Sequence, residues 1–432
     1  DAHVRTDARA AAMTARTRSR TDRTVTDFPA ARRSRRIGVM GRDGNTPAVR
    51  RSLVKYNVFE LIKIGVATNV ARGLGSTSRV GRILAVRGAS LGMQRIRLTN
   101  TVFEGLNNVY VLDGTAGGGD SNELVLVDAG VALPDVREQL SSGLADLGHD
   151  LADVDRVLLT HWHADHAGLA GAIQAESGAT IHVHEADAPL VAGDEEGLLE
   201  EQRLQREKFR EWGMPEETRV ELVEFLEDHG DLGGEPCDVE SFVDGDAFQV
   251  NGRTLEAVHL PGHAAGLTAF HDAAGDEAFV GDAVLPKYTP NVGGADVRVE
   301  DPLGRYVESL LALIDLDPGT AWPGHRDRID DPAGRAATIL RHHVDRTGNV
   351  VDALAELGPS TPWEVSAALF GDLHGIHVLH GPGEAYAHLD HLAGAGVVER
   401  DGTRYALVDA DPDVASLFPD SGIDRVVEWA GE

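Results

Sequence analysis

Three histidines and one aspartate within six consecutive residues form the part of the sequence best suited to chemistry. His161, His163, Asp165 and His166 offer imidazole and carboxylate groups, which are the ligands that zinc takes when it is catalytic. A structural zinc site more often uses thiolates, and the single cysteine, Cys237, lies far away along the chain. The spacing therefore predicts a catalytic metal site, in preference to a polar loop that is histidine-rich by chance.

Three later segments each add a ligand-type side chain directly after a predicted strand. These side chains are His263, Asp282 and His325, and each has a glycine beside it where backbones crowd together. With the first cluster they supply five histidines and two aspartates, enough for two metal ions. Two cations about 3.5–4 Å apart can share a water, lower its pKa and stabilise the oxyanion that its attack creates. Asp165 could also orient that water or accept its proton.

The segments around these side chains predict the elements that position them. The apolar run 157–159 ends just before the first cluster and small apolar residues follow it, so the cluster lies where a strand turns into a helix. Alternating or β-branched character predicts strands at residues 95–103, 108–112, 124–128, 154–159, 180–183, 247–250, 254–259, 267–271, 278–280 and 321–322. Amphipathic periodicity predicts helices at residues 135–147, 167–176, 303–314 and 332–357. Two runs of strands divided by helices predict an α/β fold of two packed sheets with helices outside.

Length and composition limit the class of protein. A chain of 432 residues with 42% hydrophobic residues has room for two or three domains and a sizeable core. No uninterrupted apolar run reaches about 18 residues, so we expect no membrane-spanning helix. One cysteine excludes an intramolecular disulfide framework and fits a reducing cytosol, so we expect a cytoplasmic protein.

The charge is distributed unevenly along the chain. Residues 1–92 carry 19 Lys and Arg against 6 Asp and Glu, so residues 93–432 carry 21 against 64, a balance of −43. Such a surface repels nucleic acid at low salt. The abundance of carboxylates and scarcity of lysine resemble the cytosolic proteins of a salt-accumulating halophile, although an ordinary acidic protein is the alternative.

The first 92 residues differ from the rest and allow three interpretations. They are basic, rich in Arg, Thr and Ser, and without an apolar period over residues 16–36. We favour an upstream extension translated from a misplaced start, with a targeting peptide or a basic nucleic-acid-binding arm as alternatives. In each case we expect the region to be largely disordered or poorly packed.

The complete motif resembles that of the metallo-β-lactamase superfamily of hydrolases. The HxHxDH pattern of that family is matched at residues 161–166, and its later His, Asp and His at His263, Asp282 and His325. The resemblance covers about residues 93–410 and implies an αββα sandwich with the metals at one sheet edge. It implies that His161, His163 and His263 bind one metal, that Asp165, His166 and His325 bind the second, and that Asp282 bridges them. Asp128 matches a position that supports the site from behind.

Further segments resemble the branch that contains lactamase-like protein 2 and glyoxalase II-like hydrolases. They include residues 281–285, 289–291, 301–304 and 361–364. In that branch a small winged-helix-like α+β domain follows the metal domain, and here we expect helices at 362–370 and 383–393 and a hairpin from 396–398 and 404–408. The family usually continues Pro-Gly-His-Gly, whereas Arg326 follows His325 here and could alter the pocket rim.

The predicted domains follow from this resemblance. The hydrolase domain spans residues 93–345, with a charged helical insertion at 194–230 that is either a substrate cap or a solvated excursion. The winged-helix-like domain spans 346–410, and an acidic tail spans 411–432. The second predicted helix of the C-terminal domain contains no Lys or Arg, so we interpret that domain as an element that walls the active site or joins a homodimer, not as a DNA reader.

Three functions remain open at this point. The first is hydrolysis of a small-molecule thioester, lactone or related ester by two zinc ions, with iron or manganese as alternative metals. The second is a metal-dependent endoribonuclease acting on single-stranded RNA, which the acidic balance disfavours. The third is a non-catalytic metal-binding module.

Overall fold

The computed structural model describes residues 93–99, 106–114, 123–409 and 411–423. The predicted extension 1–92, residues 100–103 of the first predicted strand and residues 424–432 of the acidic tail lie outside the described residues. The described part of that tail contains one short helical turn, Val414–Leu417. None of the helices in the described ranges combines the length and apolar character that a bilayer crossing requires.

Two mixed sheets form the centre of the described structure. The first sheet has the order β1 to β6, with antiparallel pairing from β1 to β3 and parallel pairing from β3 to β6. Its strands are Met93–Thr99, Leu106–Leu112, Val125–Val127, Arg156–Leu158, Thr180–His184 and Val239–Phe242. The second sheet has the order β11-β10-β9-β8-β7, antiparallel except between β10 and β11. Its strands, β7 to β11, are Ala247–Val250, Arg253–His259, Thr268–Asp272, Glu277–Gly281 and Thr320–Pro323.

Strand β2 shows how the sequence divides its side chains between two cores. Tyr110 and Leu112 pack into a core between the sheets, which also contains Phe270, Phe279 and Trp322. Val109 and Val111 point the other way and pack under a helix layer, as the two-residue period of a strand requires.

The two helix layers complete the sandwich. Helices α1 (Pro134–Leu147) and α3 (Ala170–Ser177) cover the first sheet, and α7 (Pro302–Leu316) and α8 (Pro332–Leu357) cover the second. The order helix layer, sheet, sheet, helix layer is the α/β architecture that the sequence predicts.

Helices also form the insertion and the C-terminal module. The insertion consists of α5 (Glu195–Glu211) and α6 (Glu216–Asp228), which follow the single turn α4 (Ala188–Val191). The module contains α9 (Pro362–Phe370), α10 (His377–Gly394) and a hairpin of β12 (Val398–Asp401) and β13 (Arg404–Leu407). The boundary predicted after residue 345 falls inside α8, which contributes to the core of both parts. The domain division and the winged-helix identity of the module stay predictions.

Three elements differ from the prediction, each for a local reason. The predicted helix 167–176 is wrong at its start, because a one-turn helix α2 (Ala164–Ala167) comes first and α3 begins only at Ala170. Strand β6 was not predicted, because it is an edge strand whose two central residues are exposed. Helix α10 begins six residues before the predicted start at residue 383. Gly381, Pro382 and Gly383 disfavour a helix locally, but all three are buried in this one.

Candidate metal centre

The seven predicted ligand side chains converge at the ends of strands from both sheets. His161 and His163 follow β4, and Asp165 and His166 lie in the turn of α2. His263 follows β8, Asp282 follows β10 and His325 follows β11. Their donor atoms form three overlapping groups, each within 4.8 Å, and the groups together include all seven residues. Strand ends of packed sheets are where α/β folds gather reactive groups.

One half of the cluster consists of three imidazoles whose donor atoms face each other; we call it the three-histidine half. His163 Nδ1 lies 3.0 Å from His161 Nε2 and 3.1 Å from His263 Nε2. Burial, aided by the neighbouring imidazoles, lowers the pKa of His163 to about 3 and that of His161 well below its usual range. Burial also lowers the pKa of His263. All three rings are therefore neutral at pH 7.

Acceptors on the far side of each ring determine which nitrogen carries the proton. His163 Nε2 donates to the Ala295 carbonyl at 3.1 Å, and His263 Nδ1 donates to the Asn291 carbonyl at 2.8 Å. His161 Nδ1 donates to Thr160 Oγ1 at 3.0 Å, because that hydroxyl itself donates to a carboxylate. Each of the three facing nitrogens therefore carries a lone pair and no proton. They lie slightly closer together than the roughly 3.4 Å expected for nitrogens around a tetrahedral zinc. Lone pairs so close repel each other unless a cation lies between them.

The other half combines two imidazoles with two carboxylates; we call it the mixed half. His325 Nε2 lies 3.4 Å from Asp165 Oδ2 and 3.3 Å from Asp282 Oδ2. Burial lowers the pKa of His166, but Asp165, Asp282 and Asp128 outweigh burial and raise it to about 10. Burial raises the pKa of Asp282, but the His325 and His166 imidazoles outweigh it and hold that pKa far below its usual range. The carboxylates of the mixed half are therefore stabilised by positive charge beside them.

Buried atoms without partners show that the residues fit a divalent metal. Among the described residues, His166 Nε2 and Asp282 Oδ1 are buried and make no hydrogen bond, although they lie 3.7 Å apart. Such atoms are costly to bury unless something compensates them. A cation between them would satisfy both, and imidazole with carboxylate suits zinc, iron or manganese.

Asp128 lies directly behind the cluster, at the position where the resemblance implies support. Its backbone has a φ of 63°, a conformation that aspartate tolerates better than most residues. Its carboxylate accepts hydrogen bonds from the Thr160 backbone and hydroxyl and from His166 Nδ1 at 2.9 Å. Because His166 donates through Nδ1, its Nε2 faces the cluster.

Comparison with known proteins agrees with this geometry. The sequence profile of the metallo-β-lactamase superfamily matches residues 102–325, which include all seven residues of the cluster. The chain belongs to the metallo-β-lactamase superfamily. A solved metallo-β-lactamase family protein from Thermus thermophilus is 32% identical, with a TM-score of 0.62, and the match covers 73% of this chain and 98% of that one.

Two curated relatives carry functional names. The probable metallo-hydrolase YqjP of Bacillus subtilis is 27% identical over 291 residues, which cover 66% of this chain and 86% of that protein. The atrochrysone carboxyl ACP thioesterase of Aspergillus terreus is 25% identical over 276 residues, 63% of each chain. This member of the superfamily is therefore a metal-dependent hydrolase.

Several groups that support the centre of this metallo-β-lactamase fold were not found from the sequence. The Asn107 side chain donates to Asp165 Oδ2 at 3.1 Å. The carbonyls of Asn291 and Ala295 accept hydrogen bonds from the ring nitrogens of His263 and His163. The Leu106 carbonyl accepts from His325 Nδ1 at 3.2 Å. Backbone carbonyls have no sequence signature, and no motif marked Asn107.

Proposed function

We propose that the chain is a dinuclear metal hydrolase that cleaves a thioester, lactone or related ester of a small molecule. The observation that carries this proposal is the convergence of five imidazoles and two carboxylates, six of them buried, into overlapping groups of donor atoms each within 4.8 Å. The nitrogen-rich donor set without thiolate favours zinc, with iron or manganese as alternatives.

The proposed ligand assignment divides the cluster into its two halves. His161, His163 and His263 hold one ion, and Asp165, His166 and His325 hold the second. Asp282 joins them, which is supported by its Oδ2 atom lying 3.7 Å from His263 Nε2 and 3.3 Å from His325 Nε2. Bound there, divalent cations supply Lewis acidity that activates water and stabilises negative charge on a carbonyl oxygen.

The chain's own residues orient and hold protons around this chemistry. Asp165 is fixed by Asn107 Nδ2, which bonds both its side chain and its backbone carbonyl. We propose that the Asp165 carboxylate also orients the attacking water and accepts its proton. Two carboxylates against two divalent cations leave the centre positively charged, which suits a polarised or anionic acyl group.

The substrate class rests on the relatives and on charge. A thioesterase at 25% identity supports an acyl-thiol bond as the target. The −43 balance of residues 93–432 argues against a polyanionic RNA substrate. We assign the winged-helix-like module the role of a packing element that walls the site.

The test is turnover of acyl thioesters, lactones and single-stranded RNA by the full chain reconstituted with zinc. We expect hydrolysis of acyl thioesters or lactones, loss of activity in Asp165→Asn, and normal activity in the control His374→Ala, whose histidine is exposed outside the cluster. A fully loaded protein that hydrolyses no ester, or that cleaves only RNA, would overturn the proposal.

A further inference from the structure

The loop that precedes α7 meets helix α10 of the C-terminal module behind the three-histidine half. We call residues 291–298, between β10 and α7, the bracket loop. We propose that the bracket loop, held in place by α10, positions His163 and His263, so that metal affinity at the three-histidine half depends on how the C-terminal module docks. The proposal rests on the proposed function, because it takes these histidines as ligands.

The bracket loop determines the ring orientation of two ligands. Its carbonyls at Asn291 and Ala295 accept the ring protons of His263 and His163, at 2.8 and 3.1 Å. Hydrogen bonds on the far nitrogen hold a metal-binding histidine in the correct tautomer and orientation. A shift of the loop would therefore turn both rings away from the shared point between them.

Asp296 ties the bracket loop to the two turns that carry these histidines. Its Oδ2 accepts from the Trp162 indole at 3.1 Å and from the Ala265 backbone at 2.9 Å. Trp162 lies between His161 and His163, and Ala265 lies two residues after His263. Arg298 pairs with Asp296 and also reaches Asp187 at 2.6 Å.

Buried Asp187 completes this connection. It accepts from the Trp162 backbone at 3.1 Å and from the Gly266 backbone at 3.0 Å. The two carboxylates are almost fully buried, and Arg298 compensates both. The loop and the two turns therefore form one connected unit.

Helix α10 contacts the bracket loop backbone to backbone, through glycines. A Cβ atom on Gly383 would lie 2.2 Å from the Gly294 Cα, and one on Gly294 would lie 2.7 Å from the His380 Cα. Asn291 Nδ2 donates to the His380 carbonyl at 3.2 Å, and Asn291 Oδ1 accepts from the Gly294 backbone at 3.2 Å. Only glycine at Gly383 permits so close an approach.

The same helix is fixed on its other sides. Leu389 and Leu392 pack into the core of the C-terminal module. Tyr386 and Leu379 pack against Phe209 and other residues of the insertion. A displacement of α10 is therefore opposed on those sides, and an added methyl group at Gly383 must move the bracket loop instead.

The experiment compares two alanine substitutions in the same helix. Gly383→Ala adds a methyl group against the bracket loop, whereas Gly394→Ala adds one with nothing within 4 Å. Metal affinity is measured on the full chain by competition with a zinc chelator. We expect Gly383→Ala to weaken one of two bound ions by about 10–100-fold, as loss of outer support at metal sites does. Affinity for the second ion should match that of Gly394→Ala, whereas the metal-free Gly383→Ala protein should unfold at a lower temperature because the added methyl group meets backbone atoms.

Unchanged affinity for both ions in Gly383→Ala would overturn the inference while leaving the proposed function intact. Failure of the unsubstituted chain to bind two ions would instead overturn the proposed ligand assignment. If Gly383→Ala does not fold, Asn291→Ala decides, because it removes two hydrogen bonds at the same contact and retains the backbone carbonyl of residue 291. Unchanged affinity in that variant would also overturn the inference.

Discussion

The two halves of the candidate metal centre differ in how their surroundings shift the pKa values of the histidines: burial lowers them in one half, and carboxylates raise them in the other. In the three-histidine half, burial lowers the pKa of every imidazole, so each ring is neutral and its facing nitrogen carries no proton. In the mixed half, carboxylates outweigh burial, raising the pKa of His166 to about 10 and that of His325 above its usual range, so at pH 7 a proton on His166 occupies the place that a cation would take. A metal ion enters the first half without displacing protons, but enters the second only by displacing them.

Asp282 contacts both halves, so its removal should have the largest effect. The Asp282→Ala variant loses the carboxylate that lies beside His263, His166 and His325. We expect activity to fall by at least about 10³-fold and metal stoichiometry to fall below that of any variant confined to one half. Elemental analysis with steady-state kinetics measures both. Full occupancy in Asp282→Ala would show that the halves do not share this residue.

Metal affinity should depend on pH in the mixed half only. Because the pKa of His166 is raised to about 10, that ring is protonated below this pH, and lowering the pH favours the proton over the metal. We expect affinity in the mixed half to fall about tenfold for each pH unit between 9 and 7, for each proton displaced. The three-histidine half should not change in this range, since the pKa of His163 is about 3.

Calorimetric zinc titrations in buffers of different ionisation enthalpy measure the protons released with each ion. Release of the same number of protons with both ions at pH 7.5 would contradict the predicted difference between the two halves.

Asp128 contacts the mixed half directly, through His166, and reaches His161 of the other half only through the Thr160 hydroxyl, so its substitution should separate the two halves by a smaller effect. In Asp128→Asn the side chain still reaches His166 Nδ1 but no longer provides two carboxylate acceptors. We expect metal affinity in the mixed half to fall about 10–100-fold, with the pKa of His166 lowered because one of its three carboxylates is gone. Chelator competition measures the affinity, and NMR titration of the ring measures the pKa. An equal loss at the other ion would count against the division.

The smallest effect is expected for a change that weakens the C-terminal module without moving the bracket loop. Thr361 caps α9, and its hydroxyl accepts from the Glu364 backbone at 3.2 Å. Thr361→Ala should lower the free energy of unfolding by about 1 kcal/mol and leave both metal affinities unchanged. Denaturant unfolding and chelator competition on one sample test this. A loss of metal affinity here would show that general module stability matters, and not the α10 contact alone.

The sequence was sufficient to find the seven converging side chains because their motif is local and chemically distinctive. His161 to His166 lie just after β4, and each of the other three side chains follows a strand, so predicting the strand ends brought all seven together. Two packed sheets with helices outside followed from strand and helix periods, whereas the αββα sandwich was implied by the family resemblance.

The parts that sequence reasoning missed depend on contacts between distant segments. The carbonyls of Asn291 and Ala295 support ligands through the backbone, which carries no residue signature. The start of α10 was misplaced because Gly381, Pro382 and Gly383 have low helix propensity, whereas burial against the bracket loop keeps the segment helical. Tertiary packing overrode local preference at the place where the module meets the site.

The number of metal ions bound by the unsubstituted chain and by His163→Ala tests the central claim most directly. His163 faces only the three-histidine half, where its Nδ1 lies near His161 and His263. The account predicts two ions per chain in the unsubstituted protein and one in His163→Ala, measured by elemental analysis after removal of excess zinc. The same stoichiometry in both proteins, or one ion in the unsubstituted chain, would contradict a centre built from two distinct halves.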